Sequence, residues 1–161
     1  MCYNKTNGGA IGNYHAKAQK EVLWGEIMPA GLRPYRLAPI NRGCVNTVVF
    51  DALRVDENCK ETWIDKTNKR VYLTAKTQPW DSDADDSDAI FKVEGIIPDA
   101  TKEPGRIVFT LSEEDTYQDP TIPYFYDIVE TDLDGTNANR LAIGDFNIIP
   151  GPNNAEAGGE S

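Results

Sequence analysis

The sequence predicts an all-β fold, and three observations predict it. The last third of the chain holds three apolar runs, RIVFTL, IPYFYDIVETD and NRLAIGDFNII, separated by turn signals. Inside the first two runs the pattern has period two. Ile107, Phe109 and Leu111 fall on one side and Arg106, Thr110 and Ser112 on the other, while Tyr124, Tyr126 and Ile128 oppose Phe125, Asp127 and Val129. Alternation of β-branched and aromatic residues marks half-buried strands. Asp134-Gly135 lies between the second and third runs, and both residues tolerate positive φ, which makes the pair a hairpin signal.

The elements follow in order. Residues 1–39 form an N-terminal arm unlike the rest. Asn4 to Gly12 is rich in Gly and Asn, His15 to Met28 leaves room for one short helix, and Pro29, Pro34 and Pro39 bias their neighbours toward extended backbone. From Val45 onward seven strands are expected: 45–55, 62–65, 70–77, 89–94, 106–111, 124–131 and 140–149. Thr67-Asn68 reads as a tight turn, and 95–105, with Pro98 and Pro104, reads as a loop. In the last strand Leu141 and Ile143 have one parity, Phe146 and Ile148 the other. A one-residue bulge at Gly144-Asp145 is expected to return all four to the core. Seven short strands in about 100 residues predict an immunoglobulin-like antiparallel β-sandwich over 40–150. Residues 151–161 read as a flexible tail.

A chain of 161 residues suits one domain with an appendage. No apolar run reaches the roughly 18 residues that span a bilayer, and the first twenty residues lack the apolar stretch of a secretory signal. Synthesis in a cytoplasm and no membrane partner are therefore expected. The net charge of −10 speaks against nucleic acid, whose phosphates need clustered cations. The distribution says more. Residues 1–39 carry five cations against two acids, a net +3, whereas the remainder carries eleven against twenty-four, a net −13. A basic arm joined to an acidic domain suggests an interaction arm, one whose sign suits the acidic surface of a neighbouring copy. Three cysteines (Cys2, Cys44, Cys59) are an odd number without C-x-x-C spacing, and His15 is the one histidine, a pattern that does not read as a zinc site. Free thiols are the expectation, with a Cys44–Cys59 disulfide as the other pairing considered.

Several patterns point weakly toward chemistry. The stretch DSDADDSD, 81–88, opens like a calcium loop through Asp81, Asp83 and Asp85, but Asp86 stands where a glycine is required and Lys92 where the bidentate glutamate belongs. A solvated loop is the simpler reading. Glu113, Glu114, Asp115 and Asp127 are carboxylates of the kind glycosidases pair, yet they sit at a strand end and on an exposed face. No G-x-S-x-G or H-E-x-x-H motif occurs, and the glycines at 8–12 follow no strand and lack a P-loop lysine. Trp24, Trp63, Trp80, Tyr117, Tyr124 and Tyr126 are candidates for stacking on sugars. Trp80, beside Pro79 and the acidic loop, is the best exposed of them, and parity assigns Tyr124 and Tyr126 to the core.

The order of motifs resembles the N-terminal domain of phage baseplate upper proteins, over about residues 41–150. Asn41-Arg42-Gly43 is similar to the R-G-D-like step into that family's first strand, with Cys44 in place of the acid. Leu53-Arg54-Val55-Asp56 and Val71-Tyr72-Leu73-Thr74 follow. Then come Pro104-Gly105 before Ile107-Val108-Phe109-Thr110-Leu111, Tyr124-Phe125-Tyr126-Asp127-Ile128, Asp134-Gly135 and Gly144-Asp145-Phe146. The resemblance implies an immunoglobulin-like module of a virion, at the baseplate, neck or fibre attachment. The arm has no counterpart in it, and the chain stops where those proteins continue toward receptor-binding regions.

The expectation is a non-enzymatic structural protein without cofactor or metal. Its partners are other virion proteins and further copies of itself. The residues expected to bind them are Trp24, Ile27, Met28, Leu32, Arg33, Tyr35 and Arg36, large apolar groups that need burial beside cations that set register. The alternative is a carbohydrate-binding or adhesin module using Trp80 and the loop of Asp81, Asp83 and Asp85.

Overall fold

A computed structural model of the chain describes residues 13–17, 21–22, 36–78 and 86–151. Twelve strands occur among them: β1 Asn13–Lys17, β2 Glu21–Val22, β3 Ile40–Asn41, β4 Asn46–Asp51, β5 Leu53–Val55, β6 Glu61–Trp63, β7 Lys69–Lys76, β8 Phe91–Glu94, β9 Arg106–Leu111, β10 Tyr124–Asp132, β11 Asn139–Phe146 and β12 Ile148–Ile149. The only helical pieces among the described residues are a 3-10 turn at Asp86–Asp88 and a single turn, α1, at Glu113–Thr116. The fold is all-β, in several mostly antiparallel sheets.

One sheet is antiparallel throughout, in the order β11-β10-β7-β8. Opposite it, β4 pairs antiparallel with β9, and β5, continuing β4 after one residue, pairs antiparallel with β6. The break between β4 and β5 has a local cause. Ala52 turns its N–H to the Gly105 carbonyl at 2.8 Å, and its own carbonyl accepts from the Ile64 amide at 2.9 Å. A Cβ on Gly105 would lie 2.6 Å from the carbonyl oxygens of both Ala52 and Ile64. The glycine of the Pro104-Gly105 step is therefore there for close backbone approach.

Both sheets feed one core. Val48 and Phe50 of β4 and Ile107, Phe109 and Leu111 of β9 meet Val71 and Leu73 of β7, Tyr124, Tyr126 and Ile128 of β10, and Phe146 of β11. The predicted alternation in β9 and β10 holds residue by residue: these inward positions are at most 4% exposed. Leu37 and Ile40 also belong to this core, and the Leu37 amide donates to the Asp145 carbonyl at 3.0 Å. β3 then runs parallel to β12, with Ile40 opposite Ile148. The Asp134-Gly135 hairpin also forms, with Gly135 at φ +84 and its amide bonded to the Asp132 carbonyl.

Three expectations are corrected. The bulge lies at Leu141, not Gly144-Asp145: Ile128 faces Ala142 and Val129 faces Arg140, which leaves Leu141 as the extra residue. Ala142, Gly144 and Phe146 turn inward, and Ile143, opposite Asp127, turns to the other face. The reason is steric. Gly144 faces Tyr126 and leaves its ring room, whereas the other parity would set Ile143 inside. Second, residues 15–17 and 21–22, left open to a helix, are strand. Third, Cys59 is disulfide-bonded, while Cys44 is free, so free thiols throughout and a Cys44–Cys59 bond are both excluded. Cys59 occupies an exposed turn at φ +62, held by Asp56, whose carboxylate accepts from the Asn58 and Lys60 amides at 2.9 Å each. Nothing in the cysteine spacing announces this disulfide bond.

Candidate functional site

The first two strands place part of the arm on the domain. β1 runs parallel to β4, with Asn13 beside Thr47 and Lys17 beside Asp51, and β2 runs parallel to β5, with Glu21 beside Arg54. On their other sides β4 and β5 are already satisfied by β9 and β6. Without β1 and β2 the β4–β5 edge would present a row of unpaired N–H and C=O groups, which recruit any extended chain within reach. At two of the paired positions the residue types carry opposite charge, Lys17 with Asp51 and Glu21 with Arg54.

The same edge borders an acidic cleft. Asp51, Leu53, Glu61, Trp63 and Arg106 line a shallow space of about 320 Å³. The Asp51 carboxylate accepts from Arg106 Nε at 2.8 Å and Nη2 at 3.1 Å, and Arg106 Nη1 donates to Glu103 at 2.6 Å. The guanidinium carbon also stands 5.4 Å from the centroid of the Trp63 ring, a cation–π distance. The hydrogen bond to Asp51 holds the Arg106 guanidinium still more firmly protonated than usual. The lining sets two carboxylates, Asp51 and Glu61, against the one guanidinium of Arg106, a negative excess that suits a cationic chain. Within it the Asp51 carboxylate is engaged twice by Arg106. Trp63 meets Arg106 rather than standing clear for a sugar.

The other sequence candidates distribute as follows. Trp24, Ile27, Met28, Leu32, Arg33 and Tyr35 lie outside the described residues, as do Trp80, Asp81, Asp83 and Asp85. Arg36 pairs with Asp145 at 3.4 Å, with side chains 62% and 41% exposed, and such exposed pairs contribute little. Asp86 and Asp88, at the end of the acidic stretch, are held by cations: Asp86 by Lys92 at 2.6 Å and Asp88 by Lys76 at 2.9 Å. Among the described residues no group of three His, Cys, Asp or Glu side chains is placed to hold a metal. Asp115 closes a capping box with Ser112 at the start of α1, which gives that carboxylate a structural use. Tyr117 is 65% exposed, with the Arg42 guanidinium 4.1 Å from its ring centroid.

Asp127 is half-buried on β10. Burial raises its pKa above the ordinary aspartate value, and Arg140, bonded at 3.2 Å, only partly offsets this. Since the folded pKa lies above the unfolded one, the native state holds the extra proton in the window between them. Stability therefore falls as pH rises through that window. Asp127→Asn is expected to leave thermal stability equal or higher at neutral pH, with the gain shrinking as the solution is acidified into the carboxylate range. Melting curves of both proteins across that range decide it, and a clear loss of stability at neutral pH contradicts it.

The docking strands are what sequence reasoning did not find. NYHAK has no period-two apolar alternation, and a two-residue strand leaves no pattern at all. The available signal was charge, the basic arm against the acidic body. No described helix is long and apolar enough to cross a membrane. No family model matches the sequence, and no curated protein matches it significantly.

Proposed function

We propose that this chain is a non-enzymatic structural component of a tailed-phage virion, at the baseplate, neck or fibre attachment, assembling through its N-terminal arm. The observation that carries the assembly reading is the β4–β5 edge, which takes residues 13–17 and 21–22 as parallel strands in a charge-matched register. Such β-augmentation draws affinity from the main chain and specificity from the residues beside it. The phage context rests on the order of motifs between Asn41 and Phe146. An immunoglobulin-like sandwich is supported by two sheets sharing one core, with β7, β8, β10 and β11 in one layer and β4 and β9 in the other. A structural rather than catalytic role is supported by the use of Asp51, Asp86, Asp115 and Asp127 in ion pairs and caps.

The test is truncation of residues 1–35, which spares Leu37 because it is 5% exposed and part of the core. Particles produced with only the truncated protein are expected to lack it by mass spectrometry, whereas the full chain is incorporated. Undiminished incorporation of the truncated chain sinks the reading.

A further inference from the structure

We propose that Lys66, Glu130 and Asn139 form a self-acting cross-linking centre, in which the Lys66 amine displaces ammonia from the Asn139 side chain and leaves an amide bond between the two residues. The starting point is a carboxylate on the core side of a strand. Burial along β10 alternates, and Glu130 continues the inward stripe of Tyr124, Tyr126 and Ile128. Its two oxygens hold two nitrogens: Oε2 accepts from Lys66 Nζ at 2.6 Å and Oε1 from Asn139 Nδ2 at 3.1 Å. An amine and a carboxamide are thereby held side by side on one buried acid. The backbone fixes both. Asn139 stands opposite Glu130 in the β10–β11 register, and the Lys66 amide donates to the Pro104 carbonyl at 2.9 Å. A buried ion pair is no more stabilising than apolar side chains of the same volume, so stability alone does not account for three polar groups converging here.

Lys69, Asp132 and Asn137 repeat the amine–carboxylate–carboxamide arrangement in the same hairpin. There the lysine and aspartate side chains are each 35% exposed, against 11% and 10% for Lys66 and Glu130. The hydrogen bond to Asp132 raises the Lys69 pKa, so in water that group stays an ammonium and is no nucleophile. At the inner site burial penalises separated charges, and the proton has a short path from Nζ to Glu130 Oε2. The ion pair is the unreacted state of the folded chain. Lys66 gives one proton to Glu130, and the freed amine attacks Asn139 Cγ. The Nζ–Cγ bond forms and the Cγ–Nδ2 bond breaks. Glu130 passes the first proton to Nδ2, which departs as ammonia, then takes the second Nζ proton and returns it to water. No oxidant or reductant is needed. Asn139 is an exposed residue, so ammonia leaves directly into solvent. The product ties the chain just before β7 to the start of β11, across the end of β10.

The test is mass spectrometry of the full-length protein, folded, incubated and then reduced. Its intact mass is expected to fall short of the sequence mass by one ammonia. Tandem spectra of a proteolytic digest are expected to show one branched peptide that joins the segment of Lys66 to the segment of Asn139. The branch separates this reaction from ring closure of Asn139 on its own backbone, which loses the same ammonia without joining two segments. Glu130→Gln keeps the size of the side chain but cannot take up the proton, and it is expected to abolish the branched peptide. Asn139→Ala, a change at an exposed residue, is expected to abolish it too. Circular dichroism establishes that each variant keeps its strands. Folded, incubated wild-type protein that holds its full sequence mass and yields no branched peptide overturns the proposal. A branched peptide of equal yield in Glu130→Gln, or one joining Lys69 to Asn137 in place of Lys66 to Asn139, overturns it as well.

Discussion

Phe146→Ala is expected to lower the unfolding free energy by about 3–5 kcal/mol, the range for emptying a buried aromatic site. Phe146 is 0% exposed. Its ring stacks on Tyr124 with centroids 5.5 Å apart and meets Phe91 at 6.2 Å, so one side chain joins β11, β10 and β8. Geometry of this kind adds about 0.5–1.5 kcal/mol per pair beyond burial. The site cannot collapse easily, because Tyr124 is fixed at its far end by a hydroxyl that donates to the Asp119 carbonyl at 2.8 Å. Phe146→Leu, which keeps most of the volume, is expected to cost less than half as much. Urea unfolding monitored by tyrosine and tryptophan fluorescence measures both. A loss below about 1 kcal/mol for the alanine variant, the size of an average substitution, would mean that β11 does not close the core in this register.

The second large effect is expected at Glu130. Its carboxylate accepts from Lys66 Nζ at 2.6 Å and from Asn139 Nδ2 at 3.1 Å, and the two charged side chains are only 10% and 11% exposed. Lys66 lies just before the Thr67-Asn68 turn, and its amide donates to the Pro104 carbonyl at 2.9 Å. The pair thus ties that turn to the end of β10. Glu130→Ala strands a buried ammonium, and breaking a buried pair in this way costs about 3–5 kcal/mol. The double change Lys66→Met with Glu130→Leu removes both charges and is expected to recover most of the loss. If the double variant is no more stable than Glu130→Ala, the damage came from lost packing rather than from an unpaired charge.

The strands that read clearly in the sequence are those with one face buried. In β9 and β10 the alternation of Ile107, Phe109 and Leu111, and of Tyr124, Tyr126 and Ile128, is dictated by the core itself. The β11 bulge was misplaced because parity counts large side chains. Here a glycine and an alanine hold the inward positions, and Ile143 lies on the other face. β12 and β3 escaped separate notice because each has only two residues and their parallel pairing joins segments about a hundred residues apart. The arm strands escaped for a different reason: their partner is a sheet edge, and main-chain pairing at an edge imposes no hydrophobic period. Of the site, only the charge asymmetry was legible. The Asp51–Arg106–Glu103 network joins residues up to 55 positions apart and depends on the backbone approach at Gly105.

Assembly through the arm requires that the arm pair with the β4–β5 edge. The direct measurement is amide hydrogen exchange over residues 47–55 in the full-length protein and in His15→Pro. Faster exchange in that segment of the variant, unchanged protection in β7 and β10, and a parallel loss of assembly are expected. Equal protection of 47–55 in the two proteins, with assembly intact, would contradict it.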